Sequence, residues 1–128
     1  MDNLQICAPR PPQAAVARAL PALTDWREVN RLEISSRAQA LRKVMEATPG
    51  WDLHALGAYF GFVRHPFAET PSRVVAEQLA RRAGIVAIPG EYFGEGQEGY
   101  LRFAFANAPA TVLRQIETRL SGFSLMQA

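Results

Sequence analysis

Arg102 is the residue whose setting most clearly calls for a chemical partner. It stands in Gly99-Tyr100-Leu101-Arg102-Phe103-Ala104-Phe105-Ala106-Asn107, where apolar side chains alternate as they do on a half-buried strand. Strand side chains point to opposite faces in turn. Leu101, Phe103 and Phe105 therefore share a core face, while Tyr100, Arg102, Ala104 and Ala106 share the other. A permanently charged, planar guanidinium among small alanines suits a carboxylate gripped in bidentate fashion. Two readings follow: an internal salt bridge to one of the glutamates, or an anchor for the carboxylate of a ligand.

Upstream, the loop Pro89 to Gly99 holds four glycines and three glutamates. It has no Lys-Ser/Thr pair and leads into a strand instead of a helix, so the physics of a phosphate cradle is missing. Its expected role is to place Tyr92 and Phe93 near whatever Arg102 binds. Cys7, His54 and His65 include a nucleophile and two bases, but the spacing implies no acidic orienter for them. The single cysteine and two distant histidines give no metal-ligand pattern. Lys43 lies beside Arg42 on an expected solvated helix face, a poor setting for the desolvated amine of a Schiff-base lysine.

The elements that position these residues read as follows. Pro9, Pro11 and Pro12 force an extended entry, and a short helix is expected from Gln13 to Leu20, stopped by Pro21. Thr24 is the expected N-cap of a long helix from Asp25 to Ala47, with Trp26, Val29, Leu32, Ala40, Leu41, Val44 and Met45 as its apolar stripe. Its length, ~30 Å or more at 1.5 Å per residue, suits a link between two bodies. Gly57 to Arg64 reads as one strand. Thr70 and Pro71 open a helix with Val74, Val75, Leu79 and Ala83 inward and Gly84 as its left-handed stop. Ile85 to Ile88 reads as a short strand. A last helix after Pro109 turns Val112, Leu113, Ile116 and Leu120 inward and ends at Gly122. The order from the long helix is α-β-α-β-β-α, an α/β (α+β-like) arrangement with a small sheet of three to four strands packed by helices.

With 128 residues, 48% hydrophobic and 20% charged, the chain can bury a core without disulfides or metal. The net charge is only +2, and the 13 arginines (against Lys43 alone) are spread among acids, which argues against a nucleic-acid patch. No basic stretch precedes an apolar core at the N-terminus, so no signal peptide is expected. No apolar run reaches the ~20 residues that cross a bilayer. A reduced, cytoplasmic setting without membrane contact is the expectation from one cysteine.

Taken in order, Gly57-Ala58-Tyr59-Phe60-Gly61-Phe62, the helix ending at Gly84, Ile88-Pro89-Gly90-Glu91-Tyr92-Phe93-Gly94 and Gly99 to Ala106 resemble the C-terminal part of a class I/II aminotransferase, a fold-type I enzyme that uses pyridoxal phosphate. Residues 24–128 resemble its long interdomain helix and small domain. Residues 1–23, through Ile6-Cys7-Ala8-Pro9-Arg10 and Gln13, resemble the last stretch of its large domain. The resemblance implies that Arg102 binds the α-carboxylate of the substrate and that Tyr59, Phe60, Tyr92 and Phe93 border the pocket. It implies pyridoxal phosphate, an amino acid and a 2-oxo acid for the parent enzyme, and a homo-oligomer.

The same resemblance carries departures. The Schiff-base lysine, the phosphate loop and the groups that hold the pyridine ring belong to the family's large domain and have no match here, so no catalytic or cofactor-binding residue is assigned and no cofactor is expected on this chain alone. The expectation is a C-terminal portion of an aminotransferase, inactive by itself. Two alternatives are a non-catalytic binding or assembly module, and an α/β domain that senses small molecules through Arg102.

Overall fold

The structure, a computed structural model, describes residues 9–126. The chain forms two compact units, Met1–Glu33 and Ile34–Ala128, and the division passes through a single long helix.

In the first unit, helix α1 spans Arg10–Ala22, longer at both ends than its prolines suggest. Pro11 and Pro12 fall in the first turn, where a missing N–H costs nothing. Pro21 lies inside the helix, because the Leu23 N–H still reaches the Ala19 carbonyl and carries the chain past it. Helix α2 begins directly at Thr24 and runs to Glu46. Thr24 is not its cap: the hydroxyl donates backward to the Pro21 carbonyl at 3.1 Å, and the Arg27 N–H bonds the Leu23 carbonyl. Trp26, Val29 and Leu32, expected on a buried stripe, are 61%, 66% and 54% exposed.

In the second unit the rest of that stripe is buried as expected. Ala40, Leu41, Val44 and Met45 of α2 join the core. Here the main departure is a hairpin where the sequence suggests one strand. β1 is Asp52–Gly57 and β2 is Phe60–Arg64, joined through Ala58, whose φ is +47. A left-handed alanine is costly and unusual, which is why the turn is hidden in the sequence. Gly61 is in the strand, not the turn. A Cβ there would sit 2.7 Å from Leu41 Cδ2, so the glycine lets α2 pack closely on β2.

Helix α3 is Ser72–Gln78 and continues as a wider π turn over Leu79–Ala83 before Gly84, at φ +63, ends it as expected. Pro71, not Thr70, occupies the position before the helix. The apolar run Ile85 to Ile88 pairs as a strand only at Ile88–Pro89, β3, because Ile85 bonds back to the Leu79 carbonyl. A single 3-10 turn, Gly90–Phe93, follows. β4 is Tyr100–Ala104. The final helix is broken at Arg114 into α4, Ala110–Leu113, and α5, Gln115–Ser121. Val112, expected inward, is 45% exposed, while Leu113 and Leu120 are buried.

The sheet order is β1-β2-β4-β3 and every pair is antiparallel, an α+β arrangement of four strands with helices. Leu101, Phe103 and Phe105 are 0%, 3% and 1% exposed and face the core, as their alternation requires. Burying side chains of this size stabilises by about 1.5–3 kcal/mol each, so the register of β4 is strongly fixed. That register sends Tyr100, Arg102 and Ala104 to the opposite, open face.

Candidate functional site: the Arg102 face of the sheet

On the open face, Arg102 stands opposite Phe62 of β2 on one side and Ile88 of β3 on the other. Its guanidinium carbon lies 4.3 Å from the Phe60 ring centroid and 4.3 Å from that of Phe93. Two aromatic rings therefore contact one cation, each such contact being worth about 0.5–2 kcal/mol. Arg102 makes no ion pair among the described residues, and its Nε is buried without a hydrogen-bond partner among them. The internal salt bridge is thus not what this strand builds.

Glu91, in the adjoining loop, is engaged elsewhere. Its Oε2 accepts from the Ser72 hydroxyl at 2.9 Å and from the Arg73 N–H at 3.1 Å, while the Ser72 hydroxyl in turn accepts from the Glu91 N–H. A carboxylate on a free N–H in the first turn of a helix does the work of a cap. The effect is to tie the 3-10 turn to α3. Gly90 holds the other side of that turn. A Cβ there would run into the Gln97 carbonyl and lie 2.7 Å from the Tyr100 carbonyl oxygen, so only glycine allows the turn to lie against the start of β4. Between these two fastenings, Phe93 is delivered onto Arg102.

Phe60 reaches Arg102 from the first position of β2, where its cross-strand neighbour is the small Ala104. Beyond Phe93 the aromatic surface continues: Phe62 meets Phe93 edge-on at 6.4 Å and stacks on Tyr100 at 4.9 Å, and Tyr100 meets His54 at 5.4 Å. Beside Phe60 lies an apolar hollow of about 400 Å³ lined by Ile34, Tyr59, Phe60, Ala104, Ala106 and Asn107. Arg37 donates to the Ala106 carbonyl at its rim.

Of the residues that sequence reasoning singles out, the structure brings Phe60 and Phe93 onto Arg102. Tyr59 sits in the hollow, 55% exposed, its carbonyl accepting the Phe105 N–H. Tyr92 is 65% exposed and makes no ring contact with Arg102. Phe62, Gly90 and Glu91 complete the setting and escape sequence reasoning. Phe62 carried a signal, since it alternates with Phe60, but its register against Arg102 depends on the hidden hairpin.

The other chemistry-bearing residues do not converge. Lys43 is exposed in the last turn of α2. His54 lies on the open face against Tyr100, whereas His65 is 5% exposed at the end of β2. Burial lowers the His65 pKa, opposed by the hydrogen bond with the Glu98 carbonyl. Cys7 falls outside the described residues, and no group of metal-ligating side chains occurs among them. A cleft of about 620 Å³ lies around Arg64, His65 and Glu69 and includes neither of the rings that contact Arg102. No described helix is long and apolar enough to cross a membrane.

The chain is similar to known proteins over most of its length. The family described as aminotransferase class I and II matches residues 2–120. Aromatic-amino-acid aminotransferase 2 of Thermococcus litoralis is 30% identical over 98 residues, covering 75% of this chain and 25% of that protein. Aspartate aminotransferase of Pyrococcus horikoshii is 28% identical over 116 residues, covering 86% and 30%. Among solved structures, a Methanococcus jannaschii protein similar in its active site to kynurenine aminotransferases superposes with a TM-score of 0.71 at 26% identity, over 93% of this chain and 31% of that one. An aminotransferase from Mycobacterium tuberculosis shares the fold with a TM-score of 0.69 at 21% identity, over 94% and 32%. The chain spans about a quarter to a third of the length of these proteins, and its second unit has the fold of their small domain.

Proposed function

The chain belongs to the class I and II aminotransferase family, and on that premise we propose that it supplies the substrate-carboxylate anchor, Arg102, of an enzyme that moves an amino group between an α-amino acid and a 2-oxo acid. In this reading residues 24–128 are the interdomain helix and small domain, and residues 1–23 belong to the end of the large domain. The observation that carries it is the setting of Arg102: a fixed positive charge on an open sheet face, clasped by aromatic rings and left without an ion pair among the described residues. A carboxylate meets that demand with two parallel charge-assisted hydrogen bonds. Tyr59, Phe60, Tyr92 and Phe93 border the bound amino acid.

The family depends on pyridoxal phosphate, but this chain's residues do not fit the cofactor. Its one lysine, Lys43, is an exposed residue on a helix flank. The glycine loop sets Glu91, Glu95 and Glu98 where a phosphate would need cations or free N–H groups. No step through the cofactor is therefore assigned to these residues, and the 128-residue chain alone is proposed to be inactive, cofactor-free and cytoplasmic. The test is a transamination assay of the purified chain with added pyridoxal phosphate, an amino acid and a 2-oxo acid. No turnover is expected, and turnover without a second chain would overturn the proposal. The anchor itself is tested by titrating the chain with propanoate. Wild type should bind and Arg102→Lys should not.

A second reading, a non-catalytic assembly module, is favoured by the exposed apolar residues Val16, Leu20, Leu23, Trp26, Val29 and Leu32 of the first unit. Bare apolar groups of this number favour association, and the family reading likewise proposes a homo-oligomer. Sedimentation separates the module from a lone chain: a defined oligomer with no carboxylate binding supports the module, and a clean monomer counts against it.

A further inference from the structure

We propose that Phe60 and Phe93 are positioning residues for the Arg102 anchor, holding the guanidinium by two cation–π contacts, with its Nε edge buried, so that a carboxylate meets it end-on, across Nη1 and Nη2. The proposal rests on the anchor reading above and adds to it how the anion approaches and which side chains dictate the approach.

A guanidinium offers a carboxylate two bidentate edges, one formed by Nε and one Nη, the other by the two Nη atoms. The structure distinguishes them. Arg102 Nε is buried and unpartnered among the described residues, while Nη1 and Nη2 make no hydrogen bond to them either but are not buried. The side-on edge is thus closed to an incoming anion, and the end-on edge is open. The guanidinium carbon is also in contact with two rings, 4.3 Å from the centroid of Phe60 and 4.3 Å from that of Phe93.

Holding the fork this way has one consequence. Two ring contacts on one guanidinium restrict its motion, so less side-chain freedom is left to lose when a carboxylate binds. Phe93 owes its place to Gly90 and Glu91, and Phe60 owes its place to the start of β2 beside Ala104. Both rings are partly exposed, Phe60 at 36% and Phe93 at 47%, so neither is a core residue whose loss should unfold the domain.

The test is an NMR titration of the full 128-residue chain with sodium propanoate, at constant ionic strength held by sodium chloride, reading the Arg102 Nε–H and Nη–H signals. The Nη signals should shift and the Nε–H signal should move little. A shift that is largest at Nε–H means side-on binding and overturns the proposal. Phe60→Leu and Phe93→Leu should each weaken propanoate binding on the order of three- to ten-fold with an unchanged thermal melt. Phe60→Tyr and Phe93→Tyr, which keep an aromatic face, should bind within about twofold of wild type. Leucine variants that bind as tightly as wild type, while Arg102→Lys loses binding, overturn the clamp and leave the anchor standing. Binding by Arg102→Lys equal to wild type, or no binding by wild type, overturns the anchor and the clamp together. Should a leucine variant fail to fold, the wild-type Nε-against-Nη pattern and the tyrosine variants decide the outcome.

Discussion

Arg102 and His65 sit on the same sheet, one in β4 and the other just past the end of β2, and each holds a buried nitrogen without a partner among the described residues. They meet that condition in opposite ways. His65 gives up its charge: burial lowers its pKa, its Nε2 meets the Glu98 carbonyl at 3.2 Å, and its ring lies near Phe67. A guanidinium cannot give up its charge under any ordinary condition. Arg102 instead lies against two aromatic rings, with Nη1 and Nη2 not buried. The difference separates a buried group that can give up its charge from one that cannot. A neutralised ring is content inside a fold, whereas a permanent cation without an internal carboxylate is what the proposed anchor reading assigns to an external anion.

Disturbing the loop that delivers Phe93 should have the largest effect. Gly90→Ala places a methyl group against two backbone carbonyls, and overpacking of this kind costs about 1–3 kcal/mol. Urea unfolding should report that loss, and propanoate binding should weaken alongside it. Wild-type stability would mean the turn is looser than its contacts imply. Glu91→Ala removes the hydrogen bonds to Ser72 and Arg73 and should cost about 1–2 kcal/mol, again visible in the unfolding midpoint.

The His65 side of the comparison is read through pH. Its folded-state pKa lies below the ordinary value of 6.5, so below that value the unfolded chain binds the proton more readily. Stability should be full above about pH 6.5 and fall as the pH drops below it. His65→Gln should flatten that slope, while Arg102→Lys should leave it unchanged. A wild-type melt that does not vary between pH 7 and pH 5 would contradict the assignment of His65 as a buried neutral ring. The smallest effects belong to Tyr59→Ala and Tyr92→Ala. Both side chains are exposed, so stability should change by no more than about 0.5 kcal/mol and propanoate binding to the isolated chain should be unaltered. A clear loss of binding in either variant would widen the site beyond the two phenylalanines.

The two sides of β4 were legible in the sequence because Leu101, Phe103 and Phe105 repeat with the strand period and leave Arg102 on the other face. The buried half of α2 and the stop at Gly84 were legible for similar reasons, a helical stripe and a glycine that tolerates a left-handed conformation. The hairpin was not. Glycines stand at 57 and 61, but the backbone turns through Ala58, and nothing in an alanine's chemistry announces a positive φ. With that turn hidden, the register that faces Phe62 to Arg102 and places Phe60 over it was hidden too. The cap from Glu91 to α3 joins residues 18 and 19 apart in sequence, beyond what local spacing reveals. The exposed faces of Trp26, Val29 and Leu32 show the limit of periodicity: it identifies an apolar stripe and says nothing of what meets it.

The central claim is that Arg102 is held ready for a carboxylate, and a crystal structure of the chain grown with propanoate tests it most directly. The account predicts the carboxylate in the plane of the guanidinium, its two oxygens within hydrogen-bonding distance of Nη1 and Nη2, with Phe60 and Phe93 still in contact with the guanidinium. Arg102 turned onto a glutamate of the chain, with propanoate bound elsewhere, would contradict it.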